Sequence, residues 1–453
     1  MHTVTPAIPV ATPATAAAIP VPWTFEGYHK VPGPMRPGPA PRRLKILFLY
    51  SRPPLPMTRG DELTVSHLLE FLHGRGHEVD LLTLAPPGHR FRDDHLAWLE
   101  SRCRRIETVG LGKAEGLREA ARGLLRGWPF QIGYLLSRRQ LGLAAAWARD
   151  GGYDLAYAYY IRSAEALLAA APFVPATFMA LQLSQTLNTG RLAATAARAW
   201  ERAFYRLERA RMGAYEAALW QRVSRVVLIG ERDKAAIEAA CREHGRPPID
   251  NVVWGPHGVD VARFAPRGPG AEEPGAVAMS GVMRYAPNVE AALWFAREVW
   301  PLVRRERADA RFYLVGRDPD PKVQALHGRD GVTVTGTVEE PADWIAKAEV
   351  CVAPIRAAAG LQNKLLEALA MGRAVVATPE ANEGIGAGPG RDLLLAGEPR
   401  AFARAVLDLL ADPGRRADLG AAGRRFVEER WTWEGPFLGL EAAFYEALAE
   451  AGR

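Results

Sequence analysis

Residues 256–275, PHGVDVARFAPRGPGAEEPG, decide how this chain is organised. Gly and Pro crowd the stretch, and neither a helical nor a strand period runs through it. Short apolar runs alternate with helical patterns on both sides. Before it, Lys45–Tyr50 (KILFLY), 79–84, 155–159, 176–181, 226–229 and 252–254 are runs suited to strands buried on both faces. Val65, Leu68, Leu69 and Leu72 recur at helical spacing, and Gly74-Arg75-Gly76-His77 ends that helix. A long Arg/Glu/Ala-rich helix is expected over 192–223. After the break the alternation restarts, with strands at 277–279, 312–315, 332–335, 350–353 and 374–377 and helices over 288–305 and 362–371. Helices over 401–410, 413–428 and 436–449 follow, the second with Asp412 as N-cap and Pro413 at its first position. The pattern predicts an α/β chain of two doubly wound, Rossmann-like parallel-sheet domains facing across a cleft, with C-terminal helices.

The expected boundaries are an Ala/Pro-rich disordered arm over 1–43, a first domain over 44–255, the linker 256–275, a second domain over 276–434, and a C-terminal helix over 435–453 that packs back toward the first domain. The 453 residues are 48% hydrophobic and 24% charged, ordinary for a soluble chain, and no apolar run reaches the ~20 residues of a membrane span. Cys103, Cys241 and Cys351 are widely spaced and outside any CxxC pattern, which suggests neither a disulfide framework nor a cysteine zinc site. MHTV lacks the basic start of a signal peptide, so a cytoplasmic location is expected. The formal charge of +6 is uneven: +3 on 1–43, +7 on 44–255 and −4 on 256–453. That distribution argues against a general nucleic-acid binder.

Open α/β sheets bind ligands beyond the carboxyl ends of their strands, so chemistry is sought just after strands. The richest such segment is Ala359-Gly360-Leu361-Gln362-Asn363-Lys364-Leu365-Leu366-Glu367, after the strand ending near Pro354. A small-residue loop lets backbone approach a ligand, and the following helix aims free N–H groups and its positive dipole end at phosphate. Lys364 supplies a cation and Glu367, three residues on, a carboxylate for sugar hydroxyls. The alternative is a solvated i,i+3 ion pair worth ~0.2–0.5 kcal/mol. Only seven of the 57 basic residues are lysines, which makes a lysine here less casual.

Taken together, these segments resemble a GT-B glycosyltransferase of family 4. Pro256-His257-Gly258-Val259-Asp260 with Arg263-Phe264 resembles the interdomain linker, Gly336-Thr337-Val338 the segment after the second domain's third strand, and Leu365-Leu366-Glu367-Ala368 with Met371-Gly372 the donor-site helix. Asn382-Glu383-Gly384-Ile385 and Arg391-Asp392-Leu393-Leu394 resemble the loops that follow, and Trp431-Thr432-Trp433 the closing aromatic segment. Gly281-Val282-Met283-Arg284-Tyr285-Ala286-Pro287-Asn288-Val289, Leu293-Trp294-Phe295 and Gly360–Lys364 are similar to the subgroup associated with bacterial exopolysaccharide and exosortase (PEP-CTERM) systems. The resemblance implies a retaining, metal-independent, hexosyltransferase-like enzyme. It would move a sugar from a nucleotide-sugar co-substrate, UDP- or GDP-linked, to a glycan or polyprenyl-linked acceptor, with no other cofactor.

On that resemblance the donor site comprises Gly281, Met283, Arg284, Asn288, Gly316, Arg356, Gly360, Leu361, Asn363, Lys364 and Glu367, with Lys364 and Glu367 as the catalytic pair. Three departures stand out. The family's first glutamate is Ala359, its Arg after the glycine is Val282, and its Lys about five residues later is Pro287. Lys364, Arg284 or Arg356 then supplies the charge, and Lys364 is favoured because it sits beside the helix N-terminus. These departures also fit a second reading, a catalytically impaired GT-B-like binding or scaffold protein.

In the first domain, Gly60 follows the first strand, either to admit the sugars or simply as a strand-to-helix turn. Arg162, Asn188 and Arg191 are the other acceptor-side candidates; Asn188 could equally cap the long helix. Many relatives carry a histidine in the 184–191 loop, and this chain has none there. His67, His73 and His77 are too scattered for a metal set. Residues 102–149 hold ten basic and three acidic residues, with Trp128, Phe130, Tyr134, Leu135 and Leu136 among Arg126, Arg138 and Arg139. This pattern suits either an anionic membrane surface, as a peripheral protein at the inner face, or solvated helices with their aromatics packed inward.

Overall fold

The computed structural model describes residues 42–452 apart from 58–59, 197, 256–257, 269 and 357–360. The arm up to residue 41, His257, Ala359 and Gly360 therefore lie outside the described residues. Among the described residues two parallel sheets form. The first has seven strands in the order β3-β2-β1-β4-β5-β6-β7. These are β1 (Lys45–Tyr50), β2 (Glu78–Ala85), β3 (Arg105–Gly110), β4 (Leu155–Tyr159), β5 (Ala176–Gln182), β6 (Arg225–Leu228) and β7 (Val252–Trp254). The second has the order β10-β9-β8-β11-β12-β13. Its strands are β8 (Ala276–Ser280), β9 (Arg311–Val315), β10 (Val332–Gly336), β11 (Val350–Ala353), β12 (Ala374–Ala377) and β13 (Leu394–Leu395).

Interior strands are mostly apolar because helices cover both sheet faces, although β2 buries Asp80 and Thr83 and β5 buries Thr177 and Gln182. Ile46, Leu47, Phe48 and Leu49 of β1 are fully buried, as are Val277 and Met279 of β8. β3, RIETVG, escapes a reading by apolar runs because it is the sheet's edge strand and only Val109 of it is buried.

Three helical expectations are corrected. The single helix expected over 192–223 is two, Gln185–Thr195 and Ala199–Leu219. The helix expected over 288–305 is interrupted by a π-helical turn at Phe295–Val299. Pro301, which has no N–H to donate, stands at the start of the Trp300–Glu306 helix that follows. The polar segment 184–191, expected as a loop, is mostly the Gln185–Thr195 helix. Asn188 therefore lies in that helix's first turns, and Ser184 is the N-cap, accepting from Leu187 N. At the later cap, Asp412 accepts from Arg415 N.

The chain crosses between sheets twice. Val259 N donates to Trp431 O at 2.7 Å, joining the linker to the segment before the last helix. That helix, Glu434–Glu450, packs on the first sheet. Phe444 meets Phe178 and Tyr157 edge-on at 4.7 and 6.0 Å. Buried Glu441 takes a 2.8 Å ion pair from Arg75 and a 2.8 Å contact from His77 Nε2. Since His77 Nδ1 accepts from Leu44 N, the Nε2–H donates to Glu441.

Candidate active site

Arg232, just past β6, pairs with Glu383, beyond β12, so the carboxyl ends of the two sheets meet, and the residues there form two unlike rims. On the second sheet, Gly281 follows β8 and Gly316 follows β9. Their φ values of +147° and +154° are conformations that side chains rarely adopt. A Cβ at Gly316 would lie 1.7 Å from Gly281 O, and one at Gly281 would meet Asn288 Nδ2 at 2.8 Å and Lys364 Cε at 3.2 Å. Gly281, Asn288 and Lys364 are thus brought together, although they come from three segments.

Lys364 lies in the first turn of the Asn363–Ala370 helix, and its Nζ donates to Gln362 Oε1 at 2.7 Å. Burial pushes its pKa down to about 8, against the pull of Glu367. Burial raises the Glu367 carboxyl, opposed by Lys364 and Arg263, with Glu340 adding to the rise. The two are not a solvated surface pair. Asn288 is buried; its Nδ2 donates to Val282 O at 3.0 Å, while its Oδ1 has no partner among the described residues. An unpaired buried polar atom costs ~1–3 kcal/mol, and beside a cleft it marks a place where a ligand group can bind.

The other donor candidates divide. Leu361 packs against the core and Asn363 starts the helix. Met283 is fully buried, so its side chain belongs to the core, while its backbone N donates to Arg317 O at 3.0 Å. Arg284 and Arg356 are exposed and lean on carboxylates, Asp318 at 3.6 Å and Glu290 at 3.5 Å. Arg356 also lies over the Trp294 ring, 5.4 Å from its centroid.

On the first sheet, Arg162 lies over the Tyr160 ring and donates to Gln131 Oε1 at 3.3 Å. Gln185 Nε2 donates to Tyr160 Oη at 3.1 Å, and Asn188 Nδ2 donates to Gln185 Oε1 at 3.3 Å. Arg162 and Asn188 are thus linked through Tyr160 and Gln185. Gly60 opens the Gly60–Gly74 helix, and a Cβ there would meet nothing within 4 Å.

Sequence reasoning missed several groups on this rim. Glu216, fully buried, accepts from Ser184 Oγ at 2.8 Å, Gln185 N at 2.6 Å and Thr186 Oγ1 at 2.6 Å. Asp233 accepts from Ser184 N at 2.8 Å; burial pushes its pKa up to about 6, opposed by that bond and by Arg191 and Arg232. Tyr160 and Gln182, at the ends of β4 and β5, have φ of 69° and 66°, strained for non-glycine residues. Arg232 forms an ion pair with Glu383 of the second unit. The position of Asp233 just past β6 was the one available signal. Among the described residues, no three His, Cys, Asp or Glu side chains gather as a metal set.

Residues 275–412 match the family model described as Glycosyl transferases group 1. The chain also superposes on a sucrose-phosphate synthase from Thermosynechococcus elongatus with a TM-score of 0.61 at 18% identity, covering 90% of this chain and 100% of that one. Anabaena HepE in complex with UDP and glucose gives 0.58 at 14%, covering 90% and 100%. A UDP-forming alpha,alpha-trehalose-phosphate synthase from Burkholderia vietnamiensis gives 0.57 at 14%, covering 91% and 99%. The fold is GT-B. With the family match, the second unit is a glycosyltransferase domain. No curated protein matches the chain. Gly281, Asn288, Lys364 and Glu367 all lie within the matched glycosyltransferase segment.

Proposed function

We propose that this GT-B protein is a retaining, metal-independent glycosyltransferase that takes a nucleotide sugar in the 276–434 domain and a glycan or lipid-linked acceptor in the 44–255 domain. The observation that carries the reading is Lys364. It is a partly buried cation whose ammonium donates to the neutral Gln362 amide, held against Gly281 at the start of a helix. A diphosphate there would meet the ammonium and the first free N–H groups of the Asn363–Ala370 helix, and preorganised charge of this kind is usually the largest catalytic term. Glu367 would accept from donor hydroxyls, and the unpaired Asn288 Oδ1 could take a further hydrogen bond.

In the reaction the bond from the anomeric carbon to the leaving phosphate oxygen breaks, and a bond to the acceptor oxygen forms on the same face. The departing phosphate takes the acceptor's proton. Neighbours bound to UDP support a uridine donor. Resemblance over 281–289 and 360–364 supports a role in bacterial exopolysaccharide or cell-surface glycan synthesis, in the cytoplasm or at the inner membrane face. The test is donor hydrolysis and transfer by Lys364→Ala and Glu367→Gln. Wild-type rates in both would reject the site, whereas diphosphate binding without turnover in the unmodified protein would favour the scaffold reading that Ala359 suggests.

A further inference from the structure

The Ala199–Leu219 helix carries a feature that sugar transfer leaves unused. Trp200, Phe204 and Leu207, spaced i, i+4, i+7 on one helical face, are 64, 40 and 52% exposed. Arg202, Arg206 and Arg209 repeat the same spacing two residues on and so form a second row along the opposite flank. Ala199, Ala203 and Ala210, all exposed, lie between the rows. With Arg198 and Arg211, five arginines stand against two carboxylates. One of these, Glu208, is buried and accepts from Phe130 N at 2.7 Å and Gln131 N at 3.1 Å. Arg198 has a 3.9 Å contact with Glu201, Arg209 a 3.8 Å contact with Glu243, and Arg202 donates to Ala196 O.

This half of the helix extends past the carboxyl end of the first sheet. Gly213 packs against Thr186, just past the end of β5, so the helix from Gly213 back to Trp200 runs about 20 Å beyond that strand end at 1.5 Å per residue. By contrast, the stretch 102–149 uses much of its charge internally. Arg104 pairs with Asp80, Arg122 and Arg138 with Glu119, Arg139 with Glu107, and Arg105 lies 3.7 Å over the Trp147 ring.

We propose that the projecting half of this helix, Ala199–Arg211, lies on an anionic lipid bilayer. An apolar row with an exposed tryptophan on one flank and an arginine row on the other is the pattern of a helix lying in the membrane interface. Five arginines would repel their copies if a second chain covered the same face, and a polyanion without an apolar phase would leave Trp200 and Leu207 in water. The surface deepens the proposed reading, on which it rests, by holding the carboxyl end of the first sheet near the membrane, where a lipid-linked acceptor resides.

The test is co-sedimentation of the full chain, without donor, with phosphatidylglycerol/phosphatidylcholine vesicles and with pure phosphatidylcholine vesicles. The expected result is binding to the anionic vesicles that weakens with salt, is slight on neutral ones, and falls about tenfold in Trp200→Ser/Phe204→Ser/Leu207→Ser and less in Arg206→Gln. The variants replace exposed side chains, and unchanged UDP affinity confirms that they fold. Equal partitioning of wild type and triple variant, or no vesicle binding by the wild type, overturns the proposal. So does a wild-type dimer that the triple variant dissociates, because a second copy would then cover the face. Vesicle binding with no nucleotide binding by any of the proteins would sustain this inference and count against the glycosyltransferase reading instead.

Discussion

The two rims of the cleft satisfy their polar groups in opposite ways. The first-sheet rim is closed on itself: Glu216 engages Ser184, Gln185 and Thr186, Asp233 holds Ser184 N, and Arg162 and Asn188 join a side-chain chain through Tyr160 and Gln185. The second-sheet rim is left open, with two glycines clearing space beside Lys364 and an unpaired Asn288 Oδ1. A rim that already spends its hydrogen bonds internally provides shape and rigidity. One that holds a desolvated cation with a neutral amide for company is prepared for an anion.

Substitutions can break this contrast. The largest effect is expected at Gly316, where Gly316→Ala must push against the Gly281 carbonyl and should cost about 3 kcal/mol or more, read as a fall in melting temperature. Gly60→Ala has open space and should stay within about 1 kcal/mol of wild type by the same measurement. If Gly60→Ala also lowers acceptor kcat/KM, backbone approach at Gly60 is supported. Next, Glu216→Ala strips the N-terminus of the Gln185–Thr195 helix of its buried acceptor and should cost about 2–3 kcal/mol in denaturant unfolding. An unchanged midpoint would mean that the first rim is not held as described.

The lysine gives a pH signature of opposite sign in free and bound protein. In the free protein its folded pKa, about 8, lies below the ordinary lysine value of 10.5. Between these values the unfolded chain keeps a proton that the folded one has released, so this group's contribution to stability rises with pH across that window. Diphosphate affinity should instead fall as pH rises through about 8, since Lys364 then loses its charge. In Lys364→Arg, which stays protonated, titration calorimetry should show the fall removed. The smallest effect is expected from Glu383→Gln, which removes one ion pair between the units at Arg232 and should change stability by less than about 1 kcal/mol.

Much of the fold was legible because most interior strands are buried on both faces. KILFLY, LAYAY, VCVA and AVVA stand in the sequence as they stand in the sheets. The half-exposed edge strand β3 lacks that signal. The helix Gln185–Thr195 was hidden by its Ser, Thr, Asn and Gly, and a carboxylate thirty residues later in the chain caps it. For the site, the order of segments was enough to name Gly281, Asn288 and Lys364, which prove to be neighbours, whereas the fully buried side chain of Met283 was not foreseeable. Glu216, Asp233 and the Arg232–Glu383 pair depend on segments meeting in space, and no local pattern announces them.

The proposed role of Lys364 is to meet the donor diphosphate as a cation. Isothermal titration of UDP into wild type and Lys364→Ala at pH 7 tests it most directly. The affinity should be about 100-fold weaker in the variant, as expected on losing a charge-assisted contact worth about 3 kcal/mol. Affinities within about twofold of each other, less than ~0.5 kcal/mol apart, would contradict it.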